Sequence, residues 1–328
     1  MDSSDKEYIM KKERDEYVDI AKGIGVLLII CIHTEAFQVI GMPITFISVP
    51  VFFFMSGFYD RSERPFKQLV PKNFRTLILP AIIWVAISTL YIKILGYVKE
   101  GNWGDFPFTW YNIAGGNGPA WFLFALFYTK LFLSCIVRLK LPKVVYGGAI
   151  LLIGYLGMHI DLPLFFDEGL IALPIYALGK LLYPYLRDLL TGKWLILAGM
   201  IAFVVYLSQW ASFVIVPSGS CYKPYYLIAL LIIILNFFPF LWVSKKLVNI
   251  KFLSELGKHS LGIMLLHSPM CHTSAVILNR IFQKGSLSWI ICFLIVYVII
   301  AVLSYWGCKL IEQKCPILLG KKNNDGSL

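Results

Sequence analysis

The chain has 328 residues, of which 58% are apolar and 15% are charged, with a formal net charge of +11 and a mean hydropathy of +0.73. A soluble domain has about 45–50% apolar and about 25% charged residues. The composition therefore excludes a soluble enzyme, a disordered chain and a nucleic-acid-binding domain. Aromatic residues make up 16% of the chain, which is typical of helix ends that lie at membrane interfaces. We predict a polytopic integral membrane protein.

The predicted elements are helices that cross the membrane. Such a helix needs about 20 mostly apolar residues. Ten segments meet this requirement: 18–38, 43–60, 74–95, 119–137, 143–158, 164–183, 194–216, 224–243, 259–279 and 287–308. The first has no cleavage site of the signal-peptide type, so we expect it to be retained. The glycine-rich and aromatic connection 96–118 is interpreted as a re-entrant or lid-like loop.

The positive charges predict the orientation of these segments. With the N-terminus in the cytoplasm, the inner connections carry 24 of the 30 Lys and Arg residues and the outer connections carry five, while Lys130 lies inside the fourth segment. Such a bias is a positive-inside signal. The predicted fold class is therefore all-α, with about ten transmembrane helices and both termini cytoplasmic. Residues 1–17 form a basic cytoplasmic segment, 18–311 the membrane domain and 312–328 a cytoplasmic tail.

The first segment carries the residues with the clearest chemical potential. Lys22 and His33 are eleven residues apart, which is about three helical turns, so both project from one face about 16 Å apart along the axis. Asp19 is three residues before Lys22 and can pair with it. Gly23 and Gly25 allow another helix or a ligand to approach closely. The alternative is a packed histidine beside a lysine that reaches the headgroups.

Five motifs follow one another along the chain. They are RDEYVDIAKGIG at 14–25 with His33 after it, PVFFFMSGF at 50–58, RTLILP at 75–80, GPAWFL at 118–123 and LGKHSL at 256–261 with His267 after it. In this order they resemble the acyltransferase-3 family of membrane O-acyltransferases, most closely its fucose 4-O-acetylase-like branch. Many members carry arginine where Lys22 stands, and lysine lacks the bidentate grip of arginine on phosphate.

The resemblance implies a function. Members use about ten helices to move an acyl group, usually acetyl, from acetyl-CoA to a sugar hydroxyl of a cell-surface polysaccharide or lipid-linked glycan, here in the bacterial cytoplasmic membrane. Acetyl-CoA would be a substrate, and no permanently bound cofactor, metal ion or nucleic acid is expected. The seven cysteines have no C-x-x-C spacing and predict neither disulfides nor a zinc site. The resemblance leaves a homo-oligomer open.

The resemblance also assigns site residues. His33 is the predicted catalytic base, since an imidazole suits proton transfer at neutral pH. Lys22 and Arg75 are predicted to bind the acyl donor. Further residues are predicted to line the site: Asp19, Glu35, Trp121 and His267. His267 is equally well explained as a packed core residue, and Trp121 as part of an interfacial aromatic belt.

A different class of function also fits the composition. A transporter or flippase for a lipid-linked sugar or a polar small molecule would likewise have many helices with charged groups inside the membrane. The sequence shows no inverted repeat, which many secondary transporters have. Lys130 needs a polar partner in hydrocarbon under either function, and the sequence does not name that partner.

Overall fold

The computed structural model describes residues 15–35, 45–101, 117–208, 212–217 and 220–321. Within them the first half contains α1 (Glu16–His33), α2 (Thr45–Gly57), α3 (Phe66–Asn73), a π-turn (Phe74–Ile78), α4 (Leu79–Glu100), α5 (Trp121–Arg138), α6 (Lys143–Gly157), α7 (Phe166–Ile171) and α8 (Leu173–Leu182). The second half contains α9 (Leu186–Leu189), α10 (Lys193–Leu207), α11 (Tyr226–Lys246), α12 (Lys251–Lys258), α13 (Ser260–Ile281) and α14 (Leu287–Lys314). Strands β1 (Ser212–Val214) and β2 (Cys221–Lys223) form one antiparallel pair. The predicted all-α membrane class is confirmed.

The helix lengths support several membrane crossings. Among the described residues five helical segments are long and apolar enough to cross, or six if a pair bent by 46° counts as one crossing. Helix α1 is not among them, because three of its 18 residues are charged. Three shorter apolar helices span Ser48–Gly57, Lys143–Gly157 and Lys193–Leu207. Ten crossings and cytoplasmic termini stay predictions, and the predicted loop 96–118 lies largely outside the described residues.

Local sequence signals define individual helix ends. Helix α4 ends at Gly101, whose φ of +72° lies in the left-handed region that glycine adopts at low cost. Helix α14 begins after Ser286, whose hydroxyl oxygen accepts a hydrogen bond from the Trp289 amide. This side chain satisfies one of the amide groups that a helix start leaves without an intrahelical partner.

Glycines allow two helix pairs to cross at backbone contact. Gly23 of α1 lies against the Leu253 carbonyl of α12, and Gly257 of α12 lies against the Asp19 carbonyl of α1. Helices α2 and α8 meet in the same way at Gly57 and Gly179. The expectation that Gly23 admits a second helix is therefore confirmed. These contacts fix α1, which carries Lys22 and His33, within the bundle.

Helix α13 is held at its proline by a side chain from another element. Pro269 has no amide hydrogen, so the carbonyl of Leu265 loses its usual helical donor. Asn117 supplies the replacement: its Nδ2 donates to the Leu265 carbonyl at 2.9 Å and to the Ser88 hydroxyl at 2.9 Å. Asn117 thus joins α13 to the start of the GPAWFL motif.

Replacing Asn117 with alanine is expected to destabilise the fold by about 1–3 kcal/mol, because the buried Leu265 carbonyl would lose its donor. Thermal unfolding of the purified protein in detergent measures the change. The exposed Asn249, changed to alanine, is the control and should leave the midpoint unaltered. Equal midpoints for the two variants would show that the Asn117 bonds do not stabilise α13.

Candidate functional site

His33 opens onto a small cavity at the end of α1. The cavity has a volume of about 130 Å³, and its walls include Ile29, Phe52, Trp121, Phe122, Val216 and Met264. Its lining is mostly apolar, and His33 is the only titratable side chain among the described residues that line it. We call it the histidine cavity. The cavity therefore offers a reacting group a single imidazole as proton acceptor.

A second histidine lies directly behind the first. The ring centroids of His33 and His267 are 5.2 Å apart, with the ring planes inclined by 55°. His267 has no exposed surface. Its Nδ1 lies 3.2 Å from the Ile263 carbonyl oxygen, and its Nε2 has no hydrogen-bond partner among the described residues. The fold therefore brings together two histidines that are 234 residues apart in the sequence.

A larger, positively charged cavity lies near the C-terminal end of α2. It has a volume of about 330 Å³, and four cationic side chains line it: Arg61, Arg64, Lys72 and Lys130. We call it the cationic cavity. Tyr59 also lines it, and the Lys22 ammonium lies 5.6 Å from the centre of the Tyr59 ring. Lys22 thus lies beside this cavity, while His33 on the same helix lines the other.

Asp60 is the carboxylate in the lining of the cationic cavity, and neighbouring residues already bind its two oxygens. It accepts hydrogen bonds from the Ser62 amide at 2.8 Å and the Tyr176 hydroxyl at 2.7 Å, and Lys180 lies 3.1 Å away. These three donors suit an ionised carboxylate, and Lys180 balances its charge. The four cations that line the cavity therefore leave it with a net positive charge.

The structure shows that the hydrogen-bond partner of Lys130 is Tyr176. Its ammonium donates to the Tyr176 hydroxyl at 3.0 Å and lies 5.2 Å from the centre of that ring. Tyr176 in turn donates to Asp60. One polar chain therefore connects the intramembrane ammonium to an ionised carboxylate. The remaining N–H groups of Lys130 are available to a ligand in the cationic cavity, whose wall it forms.

The two cavities follow one another along the same pair of helices. Phe52 of α2 and Phe122 of α5 line the histidine cavity, whereas Ser56 and Leu126, four residues further along each helix, line the cationic cavity. Four residues correspond to about 6 Å of helix. The Phe122 ring also contacts the ring of Phe53, with centroids 4.7 Å apart. The two cavities therefore lie about one helical turn apart along α2 and α5.

Three other predicted site residues lie elsewhere. Arg75 is in the π-turn and does not line the cationic cavity; its Nε is buried without a partner among the described residues. Glu35 accepts a hydrogen bond from Asn279 at 3.0 Å and pairs with Lys284 at 3.4 Å. Asp19 is 2% exposed, and its backbone packs on α12. Their predicted roles in the site stay predictions.

A cluster near the end of α14 has the side chains of a metal site. Ligand atoms of His259, Cys308 and Glu312 lie within 4.8 Å of one another. However, one oxygen of Glu312 faces His259 Nδ1 at 2.9 Å and accepts the Lys321 ammonium at 2.7 Å. These two contacts already occupy that oxygen of Glu312. The cluster joins α13, α14 and the segment after α14.

The fold and the cavities define an all-α membrane protein with a histidine in an apolar pocket and a cationic pocket beside it. The acyltransferase domain of the acyltransferase-3 family matches residues 15–306, and the chain therefore belongs to this family of membrane acyltransferases. No curated protein and no solved structure matches the chain.

Proposed function

We propose that this protein transfers an acetyl group from acetyl-CoA to a sugar hydroxyl of a cell-surface or lipid-linked glycan in the bacterial cytoplasmic membrane. The observation that carries the proposal is the serial arrangement of the two cavities. One has the charge to hold a polyanionic donor, and the next has a proton acceptor in a mostly apolar pocket. About one helical turn separates them.

The cationic cavity suits the nucleotide end of the donor. Coenzyme A carries a diphosphate and a further phosphate, and guanidinium groups hold phosphate through paired, charge-assisted hydrogen bonds. Arg61 and Arg64 supply two guanidinium groups, while Lys72 and Lys130 add two ammonium groups. Lys22 lies at the rim through Tyr59. The positive-inside rule predicts that this cavity faces the cytoplasm, where acetyl-CoA is found.

The reaction follows from the position of His33. The flexible arm of the donor extends from the cationic cavity along α2 and α5, which carries the thioester to the histidine cavity about one helical turn away. His33 removes the proton from the acceptor hydroxyl as its oxygen attacks the thioester carbonyl. The new C–O bond forms, the C–S bond breaks, and the departing thiolate takes the proton from His33. Free CoA and an acetyl ester are the products.

Replacing Lys130 with methionine is expected to raise the KM for acetyl-CoA by about 10- to 100-fold with a smaller change in kcat. A charge-assisted bond to a phosphate contributes equally to the bound donor and to the transition state. Release of free CoA in the presence of membrane glycolipid acceptor measures both constants.

The matched control is Lys193→Met, which removes an exposed lysine at the start of α10 and should leave both constants unchanged. An unchanged KM for Lys130→Met would remove the cationic cavity from the donor site. The same assay examines the transporter alternative, because a transporter moves its substrate without consuming acetyl-CoA.

A further inference from the structure

We propose that His267 is a positioning residue that accepts a hydrogen bond from the ring N–H of His33 and so directs the other nitrogen of His33 towards the acceptor hydroxyl. The inference rests on the proposed function, in which His33 removes the acceptor proton. It assigns a task to a group that the catalytic step does not otherwise use.

The hydrogen of the neutral His267 ring lies on Nδ1. The Ile263 carbonyl oxygen can only accept, so the Nδ1 atom that lies 3.2 Å from it carries the hydrogen. In the neutral ring the Nε2 atom is then a bare acceptor. This atom is buried and has no donor among the described residues. A buried acceptor without a donor lowers the stability of the fold. A neighbouring group that donates a hydrogen bond to Nε2 would remove this cost.

His33 is the neighbouring group that can donate to Nε2 of His267. The two rings are 5.2 Å apart between centroids, and each nitrogen lies about 1 Å from its own centroid, so a nitrogen of His33 and Nε2 of His267 approach to about 3 Å where the two atoms point towards each other, which is hydrogen-bond distance. The carbonyl of Ile263 fixes the His267 ring, whereas His33 borders open volume in its cavity. His33, the ring with room to rotate, is also the proposed general base.

A hydrogen bond from His33 to His267 would determine which nitrogen of His33 faces the cavity. A neutral imidazole has one N–H and one lone pair, and only the nitrogen with the lone pair can take a proton. If the N–H of His33 points to His267, the lone pair faces the cavity. When His33 takes the proton from the acceptor hydroxyl, its N–H becomes a stronger donor, and the bond to His267 strengthens in the transition state. The carboxylate of a Ser-His-Asp triad has this role, but a neutral acceptor avoids a second charge in the membrane.

The test compares two substitutions of His267. Leucine removes the acceptor and keeps an apolar side chain, so we expect His267→Leu to lower kcat by about 10- to 100-fold at unchanged KM for acetyl-CoA. Glutamine keeps an acceptor oxygen, so His267→Gln should recover most of the lost kcat. Both values are taken per folded molecule, with folding measured by thermal unfolding and donor binding by calorimetry.

A purely structural role for His267 would lower the folded fraction of both variants without a difference in kcat per folded molecule, and that result would overturn the proposal. The ¹⁵N resonances of labelled histidine give a readout that does not need turnover. In the wild type they should show an acceptor Nε2 on His267, and the His33 resonances should move in His267→Leu. Unchanged His33 resonances would overturn the inference, whereas absence of CoA release with intact His33 coupling would contradict only the proposed function.

Discussion

His33→Ala is expected to lower acceptor-dependent release of CoA by about 10²- to 10⁴-fold, the usual contribution of a positioned general base. His33 is the only titratable side chain among the described residues that line the histidine cavity, and His267 behind it is wholly buried, with its Nδ1 facing the Ile263 carbonyl. Acetyl-CoA binding should be retained, because the proposed phosphate site is the cationic cavity, which does not include His33 in its lining. The variant therefore separates chemistry from donor binding.

The matched control is His159→Ala. His159 is exposed and lies beside Tyr222, in a separate cavity. Its loss should leave CoA release close to the wild-type rate. Full activity in folded His33→Ala would show that another group removes the proton, and equal losses in both variants would point to general damage by histidine removal.

Gly257→Ala is expected to have the largest effect on folding. A Cβ at this position would overlap the Asp19 carbonyl of α1, and a rigid backbone atom cannot move aside as a flexible side chain can. Overpacking of this kind costs about 1–3 kcal/mol and sometimes more. Helices α1 and α12 must separate, and α1 carries both Lys22 and His33. The variant should therefore lose folded yield, thermal stability and activity together.

Gly147→Ala provides the comparison, since a Cβ at Gly147 of α6 meets nothing within 4 Å. Alanine is also the better helix former, so this variant should be at least as stable as the wild type. Size-exclusion profiles and unfolding midpoints in detergent measure both proteins. A wild-type midpoint for Gly257→Ala would mean that α1 and α12 do not cross at backbone contact.

Sequence periodicity could predict the relative directions of His33 and Lys22 because both lie on one helix, where spacing alone fixes direction. The cavities could not be predicted in this way. Lys130 was visible as an intramembrane charge, but its partner Tyr176 lies 46 residues away on α8, and only the packing of α5 against α8 brings them together. Long-range neighbours depend on helix packing, which spacing within one helix does not encode.

The loop after α2 shows the same limit. Positive charges there have a sufficient explanation in membrane topology, so the sequence could not tell which of them face a ligand. The structure places Arg61 and Arg64 in the cationic cavity and leaves Arg75, the residue in the family-like motif, outside its lining. Asn117 escaped sequence analysis too, although Pro269 already indicated that the Leu265 carbonyl would need a donor from outside its helix.

The most direct test follows the acetyl group itself. Purified protein in proteoliposomes would receive acetyl-CoA labelled in the acetyl group, with membrane glycolipid as acceptor, and both free CoA and labelled glycolipid would be quantified. The proposed function predicts one free CoA for each acetyl group found on a sugar hydroxyl, with neither product formed by His33→Ala. Movement of the saccharide across the bilayer with acetyl-CoA left intact would contradict it.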